Sequence, residues 1–143
     1  DAREMGHEYT PIKVGVGINS GICCVGNMGA DLRFDYSVLD DTVNTAVRLE
    51  GQTRTYREAN VIGETSFGKA VGLAFLELNL VRVVGKTQPV RIFTLLGDAT
   101  YADTPEFHRL AEAHRELITA YRAQSWEAVI PSSLRDCRVA SRP

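Results

Sequence analysis

Apolar and polar residues alternate with a period of two near the start of the chain. Ile12, Val14, Val16 and Ile18 interleave with Lys13, Gly15, Gly17 and Asn19, which predicts a strand. Asn19-Ser20-Gly21 reads as a turn, and residues 22–25 as a second strand that closes a hairpin with the first. Residues 26–29 end that strand, 30–33 make a polar loop, and 34–39 form a short third strand rich in aromatic and β-branched residues. Asp40-Asp41-Thr42 marks a helix start, because carboxylates in the first turn cap free N–H groups and suit the helix dipole. The helix is expected to run through Val43, Ala46, Val47 and Leu49 and to fray near Gly51 or slightly later. A strand over 60–63, a short helix over 65–70 and two long strands over 74–84 and 89–96 follow, the last two joined by a turn at 85–88.

Beyond Gly97 the period changes. Phe107, Leu110, Ala111, His114, Leu117, Ile118 and Tyr121 recur at three- and four-residue intervals, an amphipathic helix opened by Thr104-Pro105-Glu106. A second helix is expected from Ser125 with Trp126, Val129 and Ile130, and Pro131 kinks or restarts it. A boundary near residue 100 divides the chain into a domain segment, 1–100, and a helical tail, 101–143. His114 lies on the apolar stripe, where a packed histidine is the plainer reading than a ligand.

Composition narrows the function classes. Of the 143 residues, 44% are apolar and 24% charged, ordinary for a globular chain, and the net charge of −2 gives no basic footprint for nucleic acid. No apolar run approaches the roughly 20 residues of a membrane span, and no secretory signal opens the chain, so the segment is expected to be cytoplasmic with no membrane contact of its own. Residues 1–9 carry no periodic pattern and read as the end of a longer polypeptide, which an upstream region would anchor if the intact protein is membrane-bound. The three cysteines, Cys23, Cys24 and Cys137, suggest neither a disulfide framework nor zinc. Cys23 and Cys24 are expected to be reduced thiols serving as small buried hydrophobes.

The stretch from Phe34 to Gly51 carries the candidate chemistry. Asn44 and Arg48 stand four residues apart, stacked on one helix face, with Val43, Ala46 and Val47 placed to hold the helix against a sheet. A guanidinium suits a phosphoryl group because its planar fork donates two parallel hydrogen bonds, and an amide on a short arm can orient a sugar. The same pair would be unremarkable on a solvated helix face, and spacing alone does not separate the two readings.

The flanking residues do. Val14-Gly15-Val16-Gly17-Ile18-Asn19-Ser20-Gly21, Val25-Gly26-Asn27-Met28-Gly29, Arg33-Phe34-Asp35-Tyr36 and Asp41-Thr42-Val43-Asn44 with Arg48-Leu49-Glu50 resemble, in order and spacing, the C-terminal half of class III nucleotidyl cyclase domains. Leu80 to Val90 resembles the closing hairpin of the same family, so the likeness runs from about Pro11 to Asp98. It implies an α+β fold: part of a ferredoxin-like cyclase domain, a mostly antiparallel sheet with helices on one face, followed by a C-terminal helical pair. It implies an adenylate cyclase that turns ATP into cyclic AMP and pyrophosphate at a site between two domains of a homodimer or higher oligomer. Asn44 would orient the ribose and Arg48 would stabilise charge on the α-phosphate. Ser37 falls at the purine-selecting position, where a hydroxyl resembles the adenylyl rather than the guanylyl enzymes.

Three departures accompany the likeness. The family's magnesium or manganese ions are held by two aspartates upstream of this part, so no metal ligand is assigned here and the chain alone is expected to be inactive. Asp40 stands where the family usually has glycine, a cost if the turn needs positive φ. The family's phosphate-contacting lysine aligns with Val84, and Lys86, two residues on, is the candidate substitute. These departures keep open an alternative, a catalytically silent homologue acting in dimerisation or nucleotide sensing. The tail resembles the helix pair that follows some bacterial cyclase domains and a tetratricopeptide-type unit; it reads as a structural cap or, alternatively, as a partner-binding element.

Overall fold

The computed structural model describes residues 12–30, 33–82 and 89–126. In chain order these form β1 (Val16–Ile18), β2 (Cys24–Ala30), β3 (Arg33–Leu39), α1 (Asp41–Tyr56), β4 (Asn60–Gly63), α2 (Glu64–Phe67), β5 (Ala74–Val81), β6 (Val90–Gly97), α3 (Ala99–Ala102) and α4 (Pro105–Arg122). Four strands make one sheet in the order β1-β4-β6-β5, and β2 and β3 pair as a separate two-stranded sheet. Among the described residues only the β1–β4 pair is parallel, with Val16 opposite Asn60. The architecture is the expected α+β class with a mainly antiparallel sheet.

Strand pairing corrects the sequence reading at one place. The first strand does not fold back on the second. Instead β1 pairs with β4, and the second strand runs through Gly26–Gly29 to Ala30 and pairs with β3 over its whole length, Cys24 opposite Leu39 and Ala30 opposite Arg33. Asn19-Ser20-Gly21 turns the chain away from the main sheet rather than back along it.

The orientation of β1 follows from steric room. Gly15 and Gly17 face α1. A Cβ on Gly17 would stand 2.2 Å from the Ala46 carbonyl oxygen and 2.4 Å from the Glu50 nitrogen, so helix backbone lies directly on the strand. A Cβ on Gly15 would meet the Thr53 side chain, Oγ1 at 2.2 Å. Val14, Val16 and Ile18 therefore occupy the other side and are exposed among the described residues. The residue type that normally marks the inner face of a strand lies outside because a helix has come too close for side chains.

Helix α1 docks chiefly through Thr45, Leu49 and Thr53, spaced by fours; of the apolar residues expected to hold it, Val43 and Ala46 are half-buried and Val47 is 64% exposed. Leu49 joins Val61 and Ile92 in the buried core, with Tyr56, Leu78 and Val81 packed around them. Full burial of side chains of this size is worth about 1.5–3 kcal/mol each. Gly51 does not end the helix, which continues to Tyr56 and closes at Arg57 in the left-handed region, φ 58°, its N–H bonded to the Thr53 carbonyl. A glycine costs about 1 kcal/mol in a helix interior, and the buried stripe extending to Thr53 outweighs it.

The opposite sheet face is aromatic. Phe93 follows Ile92 in β6 and so points away from α1; it stacks on Phe67 with ring centroids 3.9 Å apart, and Phe75 meets Phe67 edge-on at 5.3 Å. Arg91 donates from Nε to Glu64 at 2.8 Å and forms an ion pair with it, which ties α2 to β6. That hydrogen bond, then the carboxylate charge, raises the Arg91 pKa above its ordinary value.

The tail helix α4 lies on this aromatic side, against β5. Thr104 Oγ1 accepts from the Phe107 N–H at 3.2 Å as its cap, and Pro105 occupies the first turn. His114 donates from Nε2 to the Glu77 carbonyl at 2.7 Å, and Arg122 pairs with the Glu77 carboxylate at 2.6 Å. His114 is thus a packed, hydrogen-bonded residue, and helices cover both faces of the sheet, α1 on one and the tail on the other. Apart from Ser125 and Trp126, the expected second tail helix lies, with Cys137, outside the described residues; Trp126 meets Tyr121 edge-on at 5.8 Å.

Candidate functional site

Strand β3 passes into α1 with Asp40 alone between Leu39 and Asp41, so Ser37, Asn44 and Arg48 ride on one continuous strand–helix unit. Asp40 has φ 178° and ψ 165°, extended backbone open to any residue. Its Oδ1 accepts from the Thr42 N–H at 2.9 Å. Aspartate therefore carries no left-handed strain at this turn and serves as the helix cap.

The turn before β2 fixes where the helix starts. Asn19 Nδ2 donates to the Thr42 carbonyl at 3.1 Å, and Asn19 Oδ1 accepts from Thr65 Oγ1 at 3.1 Å. Thr42 Oγ1 donates to the Ile22 carbonyl at 3.3 Å, and the hydroxyls of Ser20 and Ser66 share a hydrogen bond of 2.9 Å. Gly21 lies so close to Thr42 that a Cβ would stand 2.3 Å from Oγ1. One amide side chain thus joins the end of β1, the first turn of α1 and the start of α2. Asn19→Ala should destabilise the chain by about 1–3 kcal/mol, because it leaves the half-buried Thr42 carbonyl without its partner and releases Thr65 as well; urea denaturation of the variant measures this.

The pair expected to carry chemistry is presented together. Asn44 and Arg48 both lie on the exposed side of α1, one turn apart, while Thr45 and Leu49 beside them are buried against the sheet. Ser37 is half-buried in β3, opposite Gly26. Lys86 and Val84 fall outside the described residues. Among the described residues, no three His, Cys, Asp or Glu side chains group closely enough to hold a metal ion. A cavity of about 1020 Å³ lies at the other end of α1, between Lys13, Thr53, Arg54, Arg57 and Glu58, and neither Asn44 nor Arg48 lines it. The exposed side of the helix, which carries both residues, is the candidate surface.

Sequence reasoning misses the hydrogen-bond hub at Asn19. Its only signal is the Asn-Ser-Gly turn itself, which reads as a hairpin loop and is in fact a clamp. Cys23 and Cys24, expected to be buried, are both exposed. They precede or open β2 beside the clamp, away from the core formed by α1 and the main sheet.

Comparison with known proteins bears on this surface. Residues 2–97 match the adenylate and guanylate cyclase catalytic domain. The chain is 32% identical over 87 residues to an adenylate cyclase of Anabaena cylindrica, covering 57% of this chain and 17% of that protein. It is 29% identical over 91 residues to adenylate cyclase 1 of Rhizobium meliloti (strain 1021), covering 63% and 14%. The chain thus spans about a sixth of the length of these relatives. Among solved structures it resembles the adenylyl cyclase CyaB from P. aeruginosa, with 31% identity and a TM-score of 0.56 over 68% of this chain and 49% of that one. A bacterial light-regulated adenylyl cyclase is also similar, with 28% identity and a TM-score of 0.53 over 68% and 28%.

Proposed function

The chain belongs to the adenylate and guanylate cyclase catalytic domain family, and we propose that it supplies the nucleotide-orienting part of an adenylate cyclase. In the proposed reaction the ribose 3′-oxygen of ATP bonds to the α-phosphorus, the bond from that phosphorus to the bridging oxygen breaks, and pyrophosphate leaves. Asn44 holds the ribose. Arg48 donates to the α-phosphate oxygens as charge builds on them, stabilisation by donors already in place before reaction. Ser37 selects adenine, and Lys86 contacts phosphate from the closing hairpin.

The observation that carries this reading is the fixed, outward presentation of Asn44 and Arg48 on a helix clamped at its first turn. The extended backbone at Asp40 favours it over a silent homologue, since aspartate in place of glycine leaves the helix start intact. The family's magnesium or manganese ion finds no fitting set of ligands among the described residues; the groups proposed to act are the amide of Asn44, the guanidinium of Arg48, the hydroxyl of Ser37 and the ammonium of Lys86. In the proposal, segment 1–100 acts with a second domain in a homodimer or higher oligomer, residues 101–143 cap it, and the whole is cytoplasmic. Among the described residues, no helix is long and apolar enough to cross a membrane.

A cyclic-nucleotide assay on the full-length protein and on this chain alone tests the reading. The full-length protein should form cyclic AMP and prefer ATP over GTP by at least about an order of magnitude, because a site built to hydrogen-bond one base edge leaves polar groups unpaired with the other. Preference for GTP would refute the role of Ser37. The chain alone should form no cyclic nucleotide, and light scattering should show it associating.

A further inference from the structure

We propose that Cys23 and Cys24 form a vicinal dithiol that closes reversibly to a disulfide by exchange with a glutathione-type disulfide, and that closure unpairs the base of the β2–β3 hairpin beside the start of α1. Both thiols are exposed, so a small disulfide can reach either. Adjacency in sequence supplies the encounter that a disulfide otherwise needs from folding. Cys24 is the first residue of β2, and Cys23 lies just outside the strand. Its side chain is therefore not held to the opposite face by strand alternation.

The ring formed would be strained. Neighbouring Cα atoms stand about 3.8 Å apart, whereas ordinary disulfides span about 4.4–6.8 Å. Strain of this kind makes the bond easily reduced, the property of labile rather than structural disulfides. In a reducing compartment the pair rests open, and a shift of the thiol pool towards disulfide closes it.

The chemistry balances. One cysteine thiolate attacks the small disulfide, forming a mixed disulfide and releasing one glutathione thiol. The neighbouring thiolate attacks the cysteine sulfur of that mixed disulfide and releases the second. Two protein thiols are oxidised, one small disulfide is reduced, and the two cysteine protons end on the two released thiols.

Closure has a structural consequence because of where the pair lies. Ile22, immediately before it, accepts from Thr42 Oγ1 in the first turn of α1. Cys24 is the partner of Leu39, the last rung of β3 before the cap Asp40. A ring between adjacent residues takes Cys24 out of extended geometry and so breaks that rung.

The chain should be equilibrated in glutathione buffers of increasing oxidised-to-reduced ratio, alkylated under acid quench and digested with trypsin. Cleavage after Lys13 and Arg33 puts Cys23 and Cys24 on one peptide, while Cys137 falls on another. The expected result is an unalkylated 14–33 peptide lighter than the dithiol by two hydrogens. It should grow with the oxidised ratio, revert with dithiothreitol, and be replaced in Cys23→Ser by a glutathione adduct. Hydrogen exchange should quicken across β2 and β3 in the closed form. A persistent glutathione adduct on the wild-type peptide, or a fully alkylated dithiol at the most oxidising ratio, would overturn the site. Closure without faster exchange would overturn the unpairing.

Discussion

Arg48→Ala in the full-length enzyme is expected to lower kcat about a hundredfold or more while changing KM far less. Removing one preplaced donor from an oxyanion-stabilising site costs on this order, because the charge it meets is fully developed only in the transition state. Arg48 is exposed on the middle of α1, and the buried stripe of Thr45, Leu49 and Thr53 lies on the other side of the helix. Truncating an exposed side chain should therefore leave the fold in place, which circular dichroism would verify. Asn44→Ala should also lower kcat, since a ribose free to rotate loses the in-line geometry. A folded Arg48→Ala enzyme with wild-type kcat would mean that this helix face is not the catalytic one.

Gly17→Ala is expected to have the largest effect on stability, a loss of about 3 kcal/mol or more, the upper end of what overpacking costs. The new methyl would stand 2.2 Å from the Ala46 carbonyl and 2.4 Å from the Glu50 nitrogen, both helix backbone, so no rotamer change relieves it. The helix must lift, and lifting it exposes Leu49, which is fully buried. Two glycines serve as controls. A methyl on Gly26 or Gly51 would meet nothing within 4 Å; Gly51→Ala, in an exposed helix interior, should stabilise by up to about 1 kcal/mol. Urea denaturation of the three variants decides the matter, and equal losses for Gly17→Ala and Gly26→Ala would sink the close-packing account.

Local structure and the antiparallel pairing of β5 with β6 were legible in the sequence, whereas the partner of β1 was not, for identifiable reasons. The cap at Asp40 and the start of α4 at Thr104 could be read because capping is a short-range hydrogen bond between residues two or three apart. The partner of β1 could not, because a turn followed by apolar residues looks alike whether the chain folds back or moves to another sheet. The period-two pattern located β1 but said nothing of which side met the core; only the helix lying over Gly15 and Gly17 decides that. Val43, Ala46 and Val47 are the apolar choices for docking α1, yet the small, partly polar stripe at Thr45, Leu49 and Thr53 fits the glycine surface. The Asn44–Arg48 pair is legible as a spacing, and its outward presentation agrees with that spacing. Lys86 lies outside the described residues.

The parallel pairing of β1 with β4 also governs the order of assembly. Val16 meets Asn60 only after the β2–β3 hairpin and the whole of α1 have been traversed. Closing so long a loop costs chain entropy before any contact rewards it, whereas β2–β3 joins strands that are neighbours in sequence. The short-range hairpin should form early, and β1 should zip onto β4 late, completing the sheet edge on which α1 packs. The helix that carries Asn44 and Arg48 is then fully locked only when β1 docks, and its clamp at Asn19 forms with that step.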